Sequence, residues 1–186
     1  MDLVAFENMR AKLQPKTLVY VGRLSKEKRV DRLLVAWSRL QHHHLDWRIN
    51  LVGDGGERKT LEDLSSQLGI SRSVQFSGWT NDVWEPLRFA NAFCLVSNYE
   101  GFPQSMLEAM ASGLPVAVMD CSPSIRQTIV DGINGLIISS EDQIAAVLDK
   151  LFRDESLRRL LGKKAAESAR EYEWSNIAPR WLNVIG

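Results

Sequence analysis

Six short apolar runs alternate along this chain with segments whose apolar residues recur every three or four positions. The runs cover residues 18–21, 49–52, 74–78, 92–96, 115–119 and 135–138. Most are apolar at consecutive positions, the pattern of a strand covered on both faces. Between them, Val30, Leu33, Leu34 and Trp37 share one helical face. So do Leu61, Leu64 and Leu68, and further on Ile144, Val147, Leu148, Leu151 and Phe152. Leu157, Leu160 and Leu161 start another helix. A helix is also expected over 82–90, with Pro86 weakening its first turns, and a last one runs from Ser175 as N-cap through Trp181. Strand and helix in strict alternation predict an α/β fold, a parallel sheet of about six strands with helices on both faces. In such sheets ligands gather at the carboxyl ends of the strands. Arg23, Asp54, Trp79, Glu100 and Asp120 each follow a strand, so they are expected along one rim.

The most informative loop is the one leaving the fourth strand, Ser97-Asn98-Tyr99-Glu100-Gly101-Phe102-Pro103-Gln104-Ser105, which runs into a helix carrying Glu108. Gly101 permits a turn and leaves room for a ligand beside the main chain. Pro103 suits a helix entry, where its missing N–H costs nothing. The free N–H groups of that helix start attract an anion, above all a phosphate. Glu100 and Glu108 bracket the site, and a carboxylate can accept two hydrogen bonds side by side from a diol. One helix start between two acids points to a phosphorylated sugar. After the first strand, Arg23 and Lys28 lie five positions apart. They combine a planar fork of donors with a compact charge, a pair suited to a diphosphate.

Composition removes several alternatives. The 186 residues suit one domain with a full core. Lys and Arg balance Asp and Glu at a formal net charge of zero, so no nucleic-acid partner is expected. No apolar run approaches the roughly 20 residues of a membrane span. The start of the chain lacks the pattern of a signal peptide. Cys94 and Cys121 sit in or just after apolar strands and read as reduced structural thiols, which favours the cytoplasm. Gly53-Asp54-Gly55 lacks the third glycine of a dinucleotide fingerprint, because Arg58 stands there, and reads as a tight turn. His42, His43 and His44 are consecutive, so they diverge on a helix, and they read as a solvated helix end rather than a metal site. No metal and no cofactor is expected.

Glu-x7-Glu followed by Ala109-Met110-Ala111-Ser112-Gly113-Leu114-Pro115-Val116 resembles the donor-binding half of retaining glycosyltransferases of the GT-B fold, the large family 4 or group 1. Gly22-Arg23-Leu24 with Lys28 resembles that family's phosphate motif. The resemblance is nearly continuous from 18 to 135. It implies a Rossmann-like three-layer domain over 16–186, preceded over 1–15 by a linker or interdomain helix. It implies a nucleotide-sugar donor, with Arg23, Lys28 and Glu100 as the catalytic residues. It assigns the donor to Gly22, Trp79, Gly101, Phe102, Pro103, Gln104, Ser105 and Glu108, with Glu108 on the ribose and Trp79 near the base. The expected partner is an N-terminal acceptor-binding domain or subunit, without which transfer should be slight. Peripheral contact with the inner face of a membrane stays open, although the charge balance gives it little push.

Three positions depart from the family pattern. Arg29 and Ser124 stand where glycine is usual, and Gln127 stands where glutamate is usual. The alternative they raise is a non-catalytic module that keeps the fold for nucleotide binding or assembly.

Overall fold

The computed structural model describes residues 15–185; the linker expected over 1–15 lies outside them apart from Pro15. The strands are β1 (Lys16–Val21), β2 (Trp47–Val52), β3 (Val74–Gly78), β4 (Ala92–Leu95), β5 (Val116–Met119) and β6 (Leu136–Ile138). The helices are α1 (Val30–Leu40), α2 (Arg58–Gln67), α3 (Trp84–Arg88), α4 (Gln104–Ala111), α5 (Pro123–Thr128), α6 (Ile144–Arg153), α7 (Glu155–Ala169) and α8 (Trp174–Ile185). All strands pair in parallel in the order β3-β2-β1-β4-β5-β6. This is the expected α/β Rossmann-like sheet.

The central strands are apolar on both sides for a reason. Leu18, Val19 and Tyr20 on β1 and every residue of β4 and β5 are buried. Chain progress reverses at β1: it runs outward through β2 and β3, then returns to β4. Because parallel crossovers are right-handed, that reversal sends the two sets of helices to opposite faces. On one face α1 packs against α2 and α6; elsewhere α4 packs against α7. Trp37, Trp47 and His44 surround Phe152 of α6, with ring centroids 5.8, 4.2 and 5.1 Å away. Each aromatic pair adds roughly 0.5–1.5 kcal/mol beyond the area it buries.

Gly162 marks a close crossing in α7. A Cβ there would lie 2.1 Å from the carbonyl oxygen of Gly113, the residue that ends α4 at φ 76°. Only a bare Cα lets the two helices meet at that distance.

Four local readings are corrected. The helix over 82–90 shrinks to the five residues of α3, since Pro86 supplies no amide to extend it. The last helix opens at Trp174, one residue before Ser175, so Ser175 is inside it and is not its N-cap. The six residues of α5 form a helix where the sequence suggested none. The histidine run is not uniformly solvated. His42 and His43 are exposed, but His44 is buried, and its Nε2 sits 2.7 Å from Asp149 Oδ1 on α6.

Candidate functional site

The order of chain progress reverses between β1 and β4, so the loops leaving these two parallel strands diverge and leave a crevice at their carboxyl ends. The two informative motifs stand on those loops. Lys28 and Glu100, 72 positions apart in the chain, meet there: Lys28 Nζ donates to both oxygens of Glu100, at 2.7 and 2.8 Å. Ser97 Oγ donates to Glu100 Oε1 at 2.6 Å. Ser97 is fully buried and Glu100 is 7% exposed, so the carboxylate is nearly withdrawn from water with three hydrogen bonds to hold its charge. The main chains are tied as well, through the amide of Asn98 and the carbonyl of Glu27 at 2.8 Å.

Arg23 is placed by a second set of contacts. Tyr20, buried in β1, donates its hydroxyl to the Arg23 carbonyl at 2.9 Å. Burial raises the Tyr20 phenol well above its ordinary value, and the charge of Glu100 pushes the same way, so it stays a neutral donor. From the other side the β2 loop lies flush against this one. The Gly22 amide donates to Val52 and the Leu24 amide to Asp54, at 3.0 and 2.9 Å. Gly53, at φ 133°, makes that approach possible, because a Cβ on it would fall 1.9 Å from the Gly22 carbonyl oxygen. The glycines of this turn therefore carry backbone against backbone, as the tight-turn reading expected. The Arg23 side chain is exposed and meets no hydrogen-bond partner among the described residues. It lines a cleft of about 360 Å³ with Gly22, Gly53, Asp54, Trp79 and Thr80. Trp79 follows β3 at the far wall, 75% exposed, with its ring unpacked.

On the other side of the crevice α4 begins at Gln104, with Pro103 capping it. The amides of Gln104 and Ser105 meet no acceptor among the described residues, while those of Met106 and Leu107 turn inward to the Pro103 carbonyl. Two donors at a helix start thus remain available to an anion. Met106, Ala109 and Met110 face the core, which leaves Glu108 on the half-buried flank. Its carboxylate has no partner among the described residues, and burial raises its pKa above the ordinary value. Gly101 is exposed, in the bend before the helix. The Phe102 ring leans away on Tyr172, at a centroid distance of 5.6 Å.

The structure therefore joins Lys28 directly to Glu100. It sets Arg23 and Trp79 along one cleft, and it places Glu108 and the helix start on the β4 side. Sequence reasoning missed Ser97 and Tyr20. Tyr20 looked like an ordinary strand residue and Ser97 only like the start of the loop, because their polar roles depend on partners that only the folded rim supplies.

Two of the departures acquire a local meaning. Arg29 adopts the left-handed conformation, at φ 48° and ψ 40°, that its position demands and that glycine takes without strain. Its guanidinium is clamped on Asp31, with Nε–Oδ1 and Nη2–Oδ2 both at 3.0 Å. Near β5, Arg126 pairs with Asp120, and Ser122 and Ser124 share a hydrogen bond of 2.8 Å. Gln127 is exposed on α5. Cys121 lies on the same rim, where burial and then the charge of Glu100 lift its thiol to about 11, so it is inert at neutral pH. Cys94 is likewise lifted, to about 12, by burial. Among the described residues no group of three His, Cys, Asp or Glu side chains is placed to hold a metal, and no helix is long and apolar enough to cross a membrane.

A parallel sheet of this order, with a cationic loop, a helix start and two acids at its switch point, defines a Rossmann-like α/β domain with a candidate anion site. Comparison with known proteins gives its family. The pattern for glycosyl transferases group 1 matches residues 5–168. An uncharacterized glycosyltransferase of Haemophilus influenzae is 33% identical over 181 residues, covering 96% of this chain and 51% of that protein. The lipopolysaccharide 1,6-galactosyltransferase of Salmonella typhimurium is 34% identical over 128 residues, covering 66% of this chain and 35% of that one. Among solved structures, Staphylococcus aureus TarM in complex with UDP, alpha-GlcNAc-glycerol and fondaparinux superimposes at a TM-score of 0.86. It shares 25% identity, over 91% of this chain and 35% of TarM. The chain belongs to the group 1 glycosyltransferases. It spans about half the length of the first relative, and less of the others.

Proposed function

We propose that this chain is the donor-binding half of a retaining glycosyltransferase of bacterial surface-polysaccharide synthesis. It takes a hexose or N-acetylhexosamine from a nucleoside-diphosphate sugar and delivers it to a saccharide or lipid-linked acceptor held by an N-terminal half. The observation that carries this reading is the meeting of Lys28 and Glu100 across the crevice. It brings the two motifs of the resemblance to a single point.

In this arrangement Arg23, Lys28 and the amides of Gln104 and Ser105 take the diphosphate. They stabilise the charge that grows on it as the sugar departs, as preorganised donors do in a site shielded from water. Glu108 accepts from the ribose hydroxyls, Glu100 faces the sugar, and the main chain from Gly101 to Ser105 lines the sugar and phosphates. Trp79 offers its open ring to the base. The acceptor hydroxyl attacks on the face from which the diphosphate leaves, and a phosphate oxygen takes its proton. No side chain acts as nucleophile. That TarM is described in complex with UDP supports a nucleotide at this rim.

A thermal-shift panel of UDP, GDP and ADP and their sugar conjugates tests the proposal. A ligand that binds only the folded chain raises its melting temperature. At least one nucleoside diphosphate or its sugar is expected to do so. A folded sample unmoved by all of them refutes the reading and favours the assembly module.

A further inference from the structure

We infer that the Lys28–Glu100 ion pair makes the site prefer a sugar-bearing diphosphate over the bare nucleoside diphosphate left after transfer. The inference rests on the donor-binding reading and adds a way for the site to tell donor from product.

An ammonium has three donors, and Lys28 gives contacts to both oxygens of Glu100. A diphosphate arriving on Arg23, whose side chain has no partner to surrender among the described residues, meets a lysine that is already engaged. It also meets a carboxylate of its own sign. To take more than the one N–H that Lys28 has left, it must draw the ammonium from Glu100. That leaves Glu100, 7% exposed, with the single hydrogen bond from Ser97. Of the two neighbouring side-chain donors, the Tyr20 hydroxyl is spent on the Arg23 carbonyl and the Cys121 thiol is a weak donor. A buried carboxylate stripped of its partner is costly.

A sugar on the diphosphate removes that cost, because its hydroxyls supply the donors that Lys28 withdraws. A bare nucleoside diphosphate brings none to Glu100, because its ribose hydroxyls go to Glu108. The pair therefore opens readily for the donor and opposes the product. Once the sugar has left, Glu100 retakes Lys28 and loosens the grip on the diphosphate.

Calorimetry on the folded chain tests this with UDP beside UDP-glucose and UDP-N-acetylglucosamine, and GDP beside GDP-mannose. Two variants are predicted to move the conjugate-to-diphosphate affinity ratio in opposite directions. Glu100→Gln leaves Lys28 uncommitted, so the bare diphosphate binds about five- to tenfold tighter and the ratio falls toward one. Ser97→Ala removes the only donor left to an abandoned Glu100, so the bare diphosphate weakens more than the conjugate and the ratio rises. A purely structural role for either residue would weaken both ligands together. Tight wild-type binding with a ratio unchanged in Glu100→Gln, or a bare diphosphate bound more weakly by that variant, overturns the inference and leaves the donor-binding reading intact. If Glu100→Gln fails to fold, Ser97→Ala alone decides by the direction of its ratio. A wild-type chain that binds neither member of any pair overturns the donor-binding reading, and the inference falls with it.

Discussion

Glu108 is a half-buried carboxylate without a partner among the described residues, on a helix whose other flank fills the core. If it receives ribose hydroxyls, Glu108→Ala leaves those hydroxyls unpaired on binding. Nucleoside diphosphate affinity should then fall by roughly 1–3 kcal/mol with folding unchanged, as calorimetry and urea unfolding would show. An unaltered affinity would move the ribose elsewhere. Arg29 allows a cleaner stability test, because its backbone lies in the left-handed region. Arg29→Gly and Arg29→Ala both delete the guanidinium and its clamp on Asp31, so they differ mainly in the strain of a Cβ at positive φ. The glycine variant should be the more stable by about 1 kcal/mol in urea midpoints. At this scale the sequence was legible where chemistry is written into residue type and order, as with Arg23, Lys28 and Glu100. It was opaque where burial decides. His44 could not be told from His42 and His43, since a short 3₁₀ turn points one ring into the core and two into water.

Among the elements, α7 carries an unusual constraint. Exchanging a mid-helix glycine for alanine normally favours a helix by up to about 1 kcal/mol. Gly162→Ala should instead lose stability by about 2 kcal/mol, because its Cβ falls 2.1 Å from the Gly113 carbonyl. Thermal and urea unfolding would give the sign. The contact of His44 with α6 makes a second test. Burial pushes the Asp149 carboxyl up, but hydrogen bonds from Arg153 and His44 outweigh it and hold the pKa below its ordinary 3.8. A carboxyl depressed by folding adds stability above its unfolded pKa and loses it as pH falls through the folded value. The stability advantage of the wild type over Asp149→Asn should therefore be full at pH 6 and shrink below about pH 4, as urea midpoints across that range would show. β4 and β5 were readable because both of their faces are apolar. The short α3 was over-read because its flanks keep helical spacing while Pro86 and the bend after β3 limit it to five residues. The short α5 carried too few periodic positions to register, with Ile125 and Thr128 its only buried residues.

For the whole molecule, the proposed reading makes the crevice one wall of a cleft, and this chain covers 51% of the first relative. We expect the isolated 186-residue chain to bind nucleoside diphosphates weakly and to transfer sugar at a small fraction of the rate of a protein with both halves. Radiolabelled donor and a saccharide acceptor would measure it. Transfer at full rate by this chain alone would show that the second half is dispensable. The parallel sheet was legible as a whole because its alternation is global. The rim was legible only as a set of candidates, since the sequence says which residues follow strands and not which loops touch.

The reversal of strand order at β1 has a consequence for assembly. Lys28 and Glu100 belong to opposite arms of the sheet, so their crevice exists only after the chain has returned from β3 and laid β4 against β1. Any molecule gripping both residues acts as a clasp between an early-made arm and a late-made one. It can reward nothing less than the closed sheet.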